Sequence, residues 1–131
     1  MTQHQASGLH CLVDFYGVNA NLLADPAQLE GIMRQAATAA KAHILFSHFH
    51  HFGAQQGVTG VLLLAESHIS IHTWPEQGFA AADVFMCGNA EPERALAVLR
   101  SALEPEREQV QRITRGRDGT QVLPPHLALQ G

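Results

Sequence analysis

The chain has few of the residues that crosslink a fold or attach a cofactor. Only two of its 131 residues are cysteines, Cys11 and Cys87. Two cysteines are too few for a disulfide scaffold, so both are expected to be thiols. Lys41 is the single lysine, at the end of a predicted helix and without a glycine-rich phosphate loop nearby. Pyridoxal phosphate and other cofactors that attach through a lysine Schiff base are therefore not expected.

Long apolar runs and a basic patch are also absent from the sequence. No apolar stretch approaches the ~20 residues needed to cross a bilayer. The N-terminal MTQHQASG lacks the basic-then-apolar order of a signal peptide. The formal charge of −4 is spread along the chain, which gives no footprint for nucleic acid or an anionic membrane. We therefore expect a cytoplasmic protein that binds neither.

The hydrophobic pattern predicts one domain over residues 1–131 with an α+β fold. Hydrophobic residues make up 46% of the chain, enough for a buried core. Alternating or continuous apolar stretches predict strands at 8–18, 43–52, 58–66, 68–73, 79–87 and 107–115. Short turns such as 74–78 favour antiparallel pairing. We predict a two-layer sandwich, an antiparallel sheet covered by two helices.

Both helices are predicted from their first residues and their apolar spacing. Asp25 and Pro26 supply an N-cap and a first-turn proline for a helix over 26–41. Pro92 opens the second helix in the same way. Its apolar face comprises Ala95, Leu96, Leu99 and Leu103. The segment 118–131, which contains paired prolines, is predicted to be a loose tail.

Reactive side chains are densest in the segment from Glu66 to His72. If the following hairpin turns between residues 76 and 77, Ser67 lies opposite Met86 and next to Cys87. The sequence thus predicts that a serine, an imidazole and a thiol converge in one hairpin, as a nucleophile, base and acid would. Each residue also has an ordinary interpretation: a turn serine, a half-buried histidine, an inert core thiol. Their spacing as a set favours the chemical interpretation.

A second cluster of histidines raises the question of a metal. His48 and His50 share one strand face, and with His72 they could bind zinc or another transition metal. No cysteine pair or His-Glu motif at ligand spacing accompanies them, so we expect no metal. Polar positions near a pocket are the favoured interpretation. Phe52 belongs to the core or stacks on a ligand ring.

One long motif carries a family resemblance. The run Glu66-Ser-His-Ile-Ser-Ile-His-Thr-Trp-Pro-Glu76, followed by Gly78-Phe-Ala-Ala-Ala-Asp-Val-Phe-Met-Cys-Gly88, resembles the prokaryotic S-adenosylmethionine decarboxylase proenzymes. The resemblance extends from about Gly8 to Gly116. It is far longer and more specific than a short motif match.

The resemblance implies that the chain cleaves itself after Glu66, giving chains 1–66 and 67–131. In the family, the serine matching Ser67 attacks the preceding carbonyl, and elimination then converts it into a pyruvoyl group. His72 matches the histidine assigned to processing as a base. Thr59 falls where many members have a serine that helps processing. A threonine hydroxyl can still donate a hydrogen bond there, although the added methyl group makes it stiffer.

The resemblance further implies a pyruvoyl-dependent decarboxylase (a carboxy-lyase) of S-adenosylmethionine. The pyruvoyl ketone at Ser67 would form a Schiff base with the substrate amine and accept the electrons left by CO2, as pyridoxal phosphate does elsewhere. The product is an aminopropyl donor for polyamine (spermidine) biosynthesis. Cys87 matches the family's proton donor, a sensible acid given an ordinary thiol pKa of ~8.5.

Substrate contacts and a partner are implied less directly. Glu76 and Asp83 are candidate contacts for a small cationic substrate, although Asp83 could equally be a solvent-facing strand residue. Phe52 lies near an aromatic that members use against the adenine ring. Processed protomers of the family usually pair and share pocket residues, which makes a homodimer the expected assembly.

Three departures from the family pattern are expected near the substrate rim rather than at the cleavage machinery. Leu9, before His10, and His51, before Phe52, stand where arginine is frequent. The loop 53–57 is one residue longer than in several relatives. Maturation is therefore the firmer prediction, and substrate identity the more open one.

Three rival interpretations remain open from the sequence. A pyruvoyl-dependent ornithine or arginine decarboxylase would keep the chemistry and change the substrate. A non-catalytic histidine-rich domain that binds a metal or ligand would leave the chain intact. An uncleaved paralogue that activates a true enzyme is disfavoured, because such a partner need not keep Ser67, His72 and Cys87 together.

Overall fold

The computed structural model describes residues 6–125 and contains one antiparallel sheet of seven strands. The strand order is β2-β3-β4-β5-β1-β6-β7. The strands are β1 (Ser7–Tyr16), β2 (Ile44–His51), β3 (Val58–Leu64), β4 (Ser67–Trp74), β5 (Phe79–Cys87), β6 (Arg107–Gly116) and β7 (Gly119–Val122). Strand β1 therefore lies between β5 and β6, far from its neighbour in sequence.

Within residues 6–125, three α-helices accompany the sheet: α1 (Ala20–Leu23), α2 (Pro26–Ala39) and α3 (Pro92–Leu103). Helix α2 begins as predicted, with the Asp25 carboxylate accepting the backbone N–H of Gln28 at 3.1 Å. The long helices α2 and α3 pack side by side on the same face of the sheet. Their apolar stripes, which include Met33 and Leu99, are fully buried there.

Strand alternation gives the sheet two different faces. The face under the helices carries the core, to which β1 contributes Cys11 and Phe15 and β4 contributes Ile69 and Ile71. The opposite face, called here the open face, carries polar side chains. Its members include His10, Leu12, Asp14, His68, Ser70, His72 and Asp83. The predicted α+β two-layer sandwich is confirmed.

Two elements were not predicted. Helix α1 is a single turn capped by Asn19, whose side chain accepts the backbone N–H of Asn21 at 2.8 Å. Strand β7 lies where a loose tail was predicted, and that prediction is wrong for residues 119–122. All four of its residues are exposed, so they show no apolar alternation, and pairing with β6 defines the strand. The rest of the predicted tail, residues 126–131, lies outside the described residues.

No helix within residues 6–125 is long and apolar enough to cross a membrane.

Candidate active site

The bond between Glu66 and Ser67 lies in the tight turn that joins β3 to β4. Leu64 pairs with Ser67, which leaves only Ala65 and Glu66 in the loop. Ser67 has a φ of 146°, a backbone conformation that costs free energy for any residue with a side chain. The structure therefore holds the residue after this bond under local strain.

The side chain of Glu66 anchors the turn through contacts with His43. It is buried, and its carboxylate accepts the backbone N–H of His43 at 2.9 Å and contacts the ring Nδ1 of His43 at 2.8 Å. Burial disfavours the charged carboxylate, but the hydrogen bonds from His43 outweigh it and hold the pKa of Glu66 below its usual value. This contact was not predicted, because His43 lies outside the motif from Glu66 to Gly88.

Cys87 contacts the carbonyl oxygen of Glu66 twice. Its backbone N–H donates to that oxygen at 3.1 Å, and its thiol donates at 3.0 Å. Ser67 lies opposite Met86, as the hairpin register predicted. The structure thus brings Ser67, Cys87 and the carbonyl between them into one place, called here the cleavage end of β4.

His72 lies far from Ser67 and Cys87 of the same chain. It pairs with Ala81, five residues along β4 from Ser67, which places it about 16 Å away at ~3.3 Å per residue. Its Nδ1 lies 3.1 Å from the hydroxyl of Thr59. The prediction that serine, imidazole and thiol converge in one hairpin is therefore wrong for His72. The hairpin is extended, so only residues in register become neighbours.

Phe52 and Glu76 lie with His72 rather than with Ser67. His50 pairs with Thr59, the neighbour of His72, and the ring of Phe52 packs edge-on against His50 with 4.6 Å between centroids. Glu76 is exposed in the 3-10 turn Pro75–Gln77 that ends β4. We call this group, with Thr59 and His72, the distal end.

Asp83 is the centre of a hydrogen-bond network on the open face. Its carboxylate accepts from Nε2 of His10 at 2.6 Å, from Nε2 of His68 at 2.8 Å, and from the hydroxyl of Ser70. Burial opposes its ionisation, yet these three donors hold its pKa far below the usual value. Its side chain is 20% exposed, so it is not the solvent-facing strand residue of the alternative interpretation.

The histidines that the sequence analysis considered as possible metal ligands, His48, His50 and His72, do not form a cluster with close donor atoms. Within the described part of the chain, the one set of ligating groups with all donor atoms within 4.8 Å of one another is His10, His68 and Asp83. These atoms already hydrogen-bond to each other. His48 lies in the row of Asp83, three strands away across Val61 and Ser70, and His50 lies in the row of His72, two strands away across Thr59.

The two single-residue departures lie on the helix side of the sheet rather than on the open face. Leu9 alternates with His10 and packs against the core beneath the helices. His51 pairs with the buried Val58. Strand alternation thus directs both towards the helix side. The loop 53–57 follows β2 near Phe52, at the distal end.

Known proteins resemble this chain along most of its length. Residues 9–116 match the family model described as S-adenosylmethionine decarboxylase. The chain belongs to the S-adenosylmethionine decarboxylase family. An S-adenosylmethionine decarboxylase proenzyme of Parasynechococcus marenigrum is 48% identical over 109 residues, covering 82% of this chain and 84% of the relative. One of Brevibacillus brevis is 40% identical over 128 residues, covering 97% and 96%.

A solved structure agrees with the sequence comparison. The crystal structure of the adenosylmethionine decarboxylase of Aquifex aeolicus superimposes with a TM-score of 0.79 at 40% identity, covering 86% of this chain and 92% of that one. The predicted family, and with it the predicted enzyme class of S-adenosylmethionine decarboxylase, is confirmed. Strand β7 lies beyond the matched residues 9–116.

Proposed function

We propose that the chain is a proenzyme that cleaves itself between Glu66 and Ser67 and then decarboxylates S-adenosylmethionine through a pyruvoyl group at residue 67. One observation carries the proposal. The carbonyl of Glu66 accepts two hydrogen bonds from Cys87 while the next residue, Ser67, is held at a strained φ of 146°. An electrophilic carbonyl and a strained nucleophile are what an acyl shift requires.

In the proposed cleavage, an acyl shift at these contacts is followed by an elimination and a hydrolysis. The Ser67 hydroxyl attacks the Glu66 carbonyl, the C–N bond breaks, and an ester with a free amine replaces the amide. The two donors of Cys87 stabilise the charge that develops on the oxygen. A base then removes the α-proton of residue 67, and Glu66 leaves as a carboxylate. Hydrolysis of the remaining dehydroalanine releases ammonia and leaves the pyruvoyl group.

The base and its partner come from a second copy of the chain. His72 and Thr59 lie at the distal end, too far from Ser67 of the same chain to touch it. The open face carries apolar side chains that a partner would cover: Leu12, Phe46, Leu63 and Trp74 are 37%, 56%, 46% and 41% exposed. A twofold axis across the open face would set the distal end of each copy over the cleavage end of the other.

Co-expression of two inactive variants tests this arrangement. Ser67→Ala cannot be cleaved, and His72→Ala lacks the base. If His72 of the partner subunit serves Ser67, mixed dimers cleave the His72→Ala chain although neither variant cleaves alone. Mass tags on the two chains identify which one is cut. Cleavage of neither chain in the mixture would show that His72 acts on Ser67 of its own chain, and cleavage of His72→Ala expressed alone would show that His72 is not the base.

In the mature enzyme the pyruvoyl group supplies the electron sink for loss of CO2. The thiol of Cys87, beside residue 67, is placed to return a proton to the α-carbon. Phe52 and Glu76 of the partner subunit would bind the adenine ring and the cationic part of the substrate. The decarboxylated product is an aminopropyl donor for polyamines, and we expect the enzyme in the cytoplasm.

Intact mass of the purified protein under denaturing conditions tests the proposal as a whole. Two chains divided after Glu66, the second with a blocked keto terminus, are expected. Release of CO2 from S-adenosylmethionine, and not from ornithine or arginine, is expected of the same preparation. An uncut wild-type chain would contradict the proposal and favour a non-catalytic domain. Turnover of ornithine or arginine instead would change only the substrate.

A further inference from the structure

Arg115 lies in the wall of the cleft that contains Ser67 and Cys87. The cleft has a volume of about 380 Å³, and Phe85 also lines it. The strand registers explain this position. Cys87 and Arg115 both pair with Gly8, one on each side of β1. Because all three occupy one row, Arg115 approaches the catalytic residues although it is 28 residues beyond Cys87 in the chain.

Gly8 places no side chain between Cys87 and Arg115. A Cβ atom at this position would lie 2.6 Å from the backbone oxygen of Met86 and 3.0 Å from Cε1 of Phe85. The guanidinium carbon of Arg115 lies 4.8 Å from the centre of the Phe85 ring. Stacking on an aromatic face is a favourable position for a guanidinium.

The charge of Arg115 has no carboxylate partner among residues 6–125. Other arginines, including Arg100 and Arg112, form ion pairs with glutamates. Arg115 instead donates to Nδ1 of His10 at 3.1 Å. A guanidinium keeps its proton throughout the physiological range, so one wall of the cleft is permanently cationic.

His10 and Asp83 fix the direction of this guanidinium. Because arginine can only donate, Nδ1 of His10 must accept, and the ring proton then resides on Nε2. Nε2 donates that proton to Asp83 at 2.6 Å. The contacts from Asp83 to His10 and from His10 to Arg115 thus hold the guanidinium in one orientation. Because Nε2 of His10 donates to Asp83, it is not available to bind a metal.

We propose that Arg115 binds the α-carboxylate of the substrate, oriented by His10 and Asp83; this inference rests on the proposed function. Loss of CO2 requires the carboxylate to be held in one orientation relative to the electron-accepting group. The planar fork of a guanidinium does this with two parallel N–H···O bonds. The ion pair disappears with the carboxylate, so Arg115 distinguishes substrate from product.

A matched pair of ligands tests the role of Arg115. S-adenosylmethionine without its α-amino group keeps the carboxylate but cannot react, and its methyl ester differs only by losing the charge. Calorimetric binding to the mature wild-type enzyme is expected to favour the acid by roughly tenfold or more, as a charge-assisted hydrogen-bonded pair provides. Arg115→Gln should bind acid and ester about equally, while its affinity for the ester stays within about threefold of wild type.

Two further variants act as controls. Arg115→Lys keeps a point charge and should restore part of the preference for the acid. Arg117→Gln, in the same hairpin with a side chain 83% exposed, should keep the full preference. An unchanged preference in Arg115→Gln would overturn the inference, as would an equal loss of affinity for both ligands, which indicates a structural role.

The same experiment separates this inference from the proposed function. If the proposed function fails, the wild-type chain binds neither ligand, and it is either uncut by mass or cut and active on ornithine or arginine instead. If only the inference fails, wild type and Arg115→Gln are both cleaved, and the acid-to-ester preference is the same in the two.

Discussion

The thiol of Cys87 donates a hydrogen bond to the carbonyl oxygen of Glu66 at 3.0 Å, and the backbone N–H of the same residue donates at 3.1 Å. One side chain is thereby placed for both reactions of the proposed function. In the proposed cleavage it would polarise the carbonyl that Ser67 attacks. In the proposed mature enzyme the same thiol would lie beside the new terminus, where the substrate needs a proton. The registers of β4 and β5 bring the two residues together.

Cys87→Ala should separate these two uses of the thiol. The backbone N–H of residue 87 remains, so cleavage should slow by about tenfold or less, in line with ~1 kcal/mol for one lost hydrogen bond. Decarboxylation should fall by roughly 10²-fold or more, because the proton donor is gone. Time courses of chain cleavage and of CO2 release measure the two effects. Cys11→Ala, on the helix side, is the control and should leave cleavage intact. Equal losses in cleavage and in decarboxylation for Cys87→Ala would contradict the dual role.

Ser67→Gly and Ser67→Ala should both be uncut, yet differ in stability. Neither has the hydroxyl, but only glycine tolerates a φ of 146° without strain. The glycine variant should therefore have a free energy of unfolding about 1 kcal/mol higher than the alanine variant. Urea denaturation of the two uncut proteins gives the comparison. An alanine variant as stable as the glycine variant would show that the turn relaxes and stores no strain.

Glu66→Gln should loosen the turn that carries the cleaved bond. The buried carboxylate of Glu66 accepts both the backbone and the ring of His43, and an amide replaces only part of this. We expect a loss of roughly 1–2 kcal/mol in stability and slower cleavage. His43→Ala keeps the backbone bond and removes a ring that is 80% exposed, so its effect on cleavage should be smaller. The reverse order of effects would argue against the carboxylate as the anchor.

Asp83→Asn should weaken the decrease in the free energy of unfolding as the pH falls into the acid range. Burial opposes the charge of Asp83, but the donors His68, Ser70 and His10 hold its folded-state pKa below its unfolded-state value. Its stabilisation is complete above the unfolded pKa of about 3.9 and is lost as pH falls through the folded pKa. Denaturation of Ser67→Ala, with and without Asp83→Asn, from about pH 6 to 2 should show the two curves converging at low pH. Asp118→Asn, with a side chain 98% exposed, is the control and should leave the curve unchanged. A difference between the proteins with and without Asp83→Asn that is the same at every pH would contradict the role of the Asp83 charge.

Local patterns predicted most of the elements and part of the site. Strand β5 was predicted at its observed bounds, and helix α2 starts at the predicted Pro26, because proline and its cap act within one turn. The pairing of Ser67 with Met86 followed from a short hairpin, in which the turn sets the register. Strand β7 was missed because exposed residues leave no alternation, and helix α1 because four residues are too few to show a helical period.

The sequence by itself determined the family, the proposed cleavage position and the neighbours within the β4–β5 hairpin, since each depends on residues close along the chain. Only the tertiary structure decided that β1 lies between β5 and β6, which brings His10 and Arg115 to the cleft that Ser67 and Cys87 line. It likewise separated His72 from Ser67 and anchored Glu66 on His43. These relationships depend on long-range strand order and on the extended length of a strand, and no local pattern of residues specifies either one.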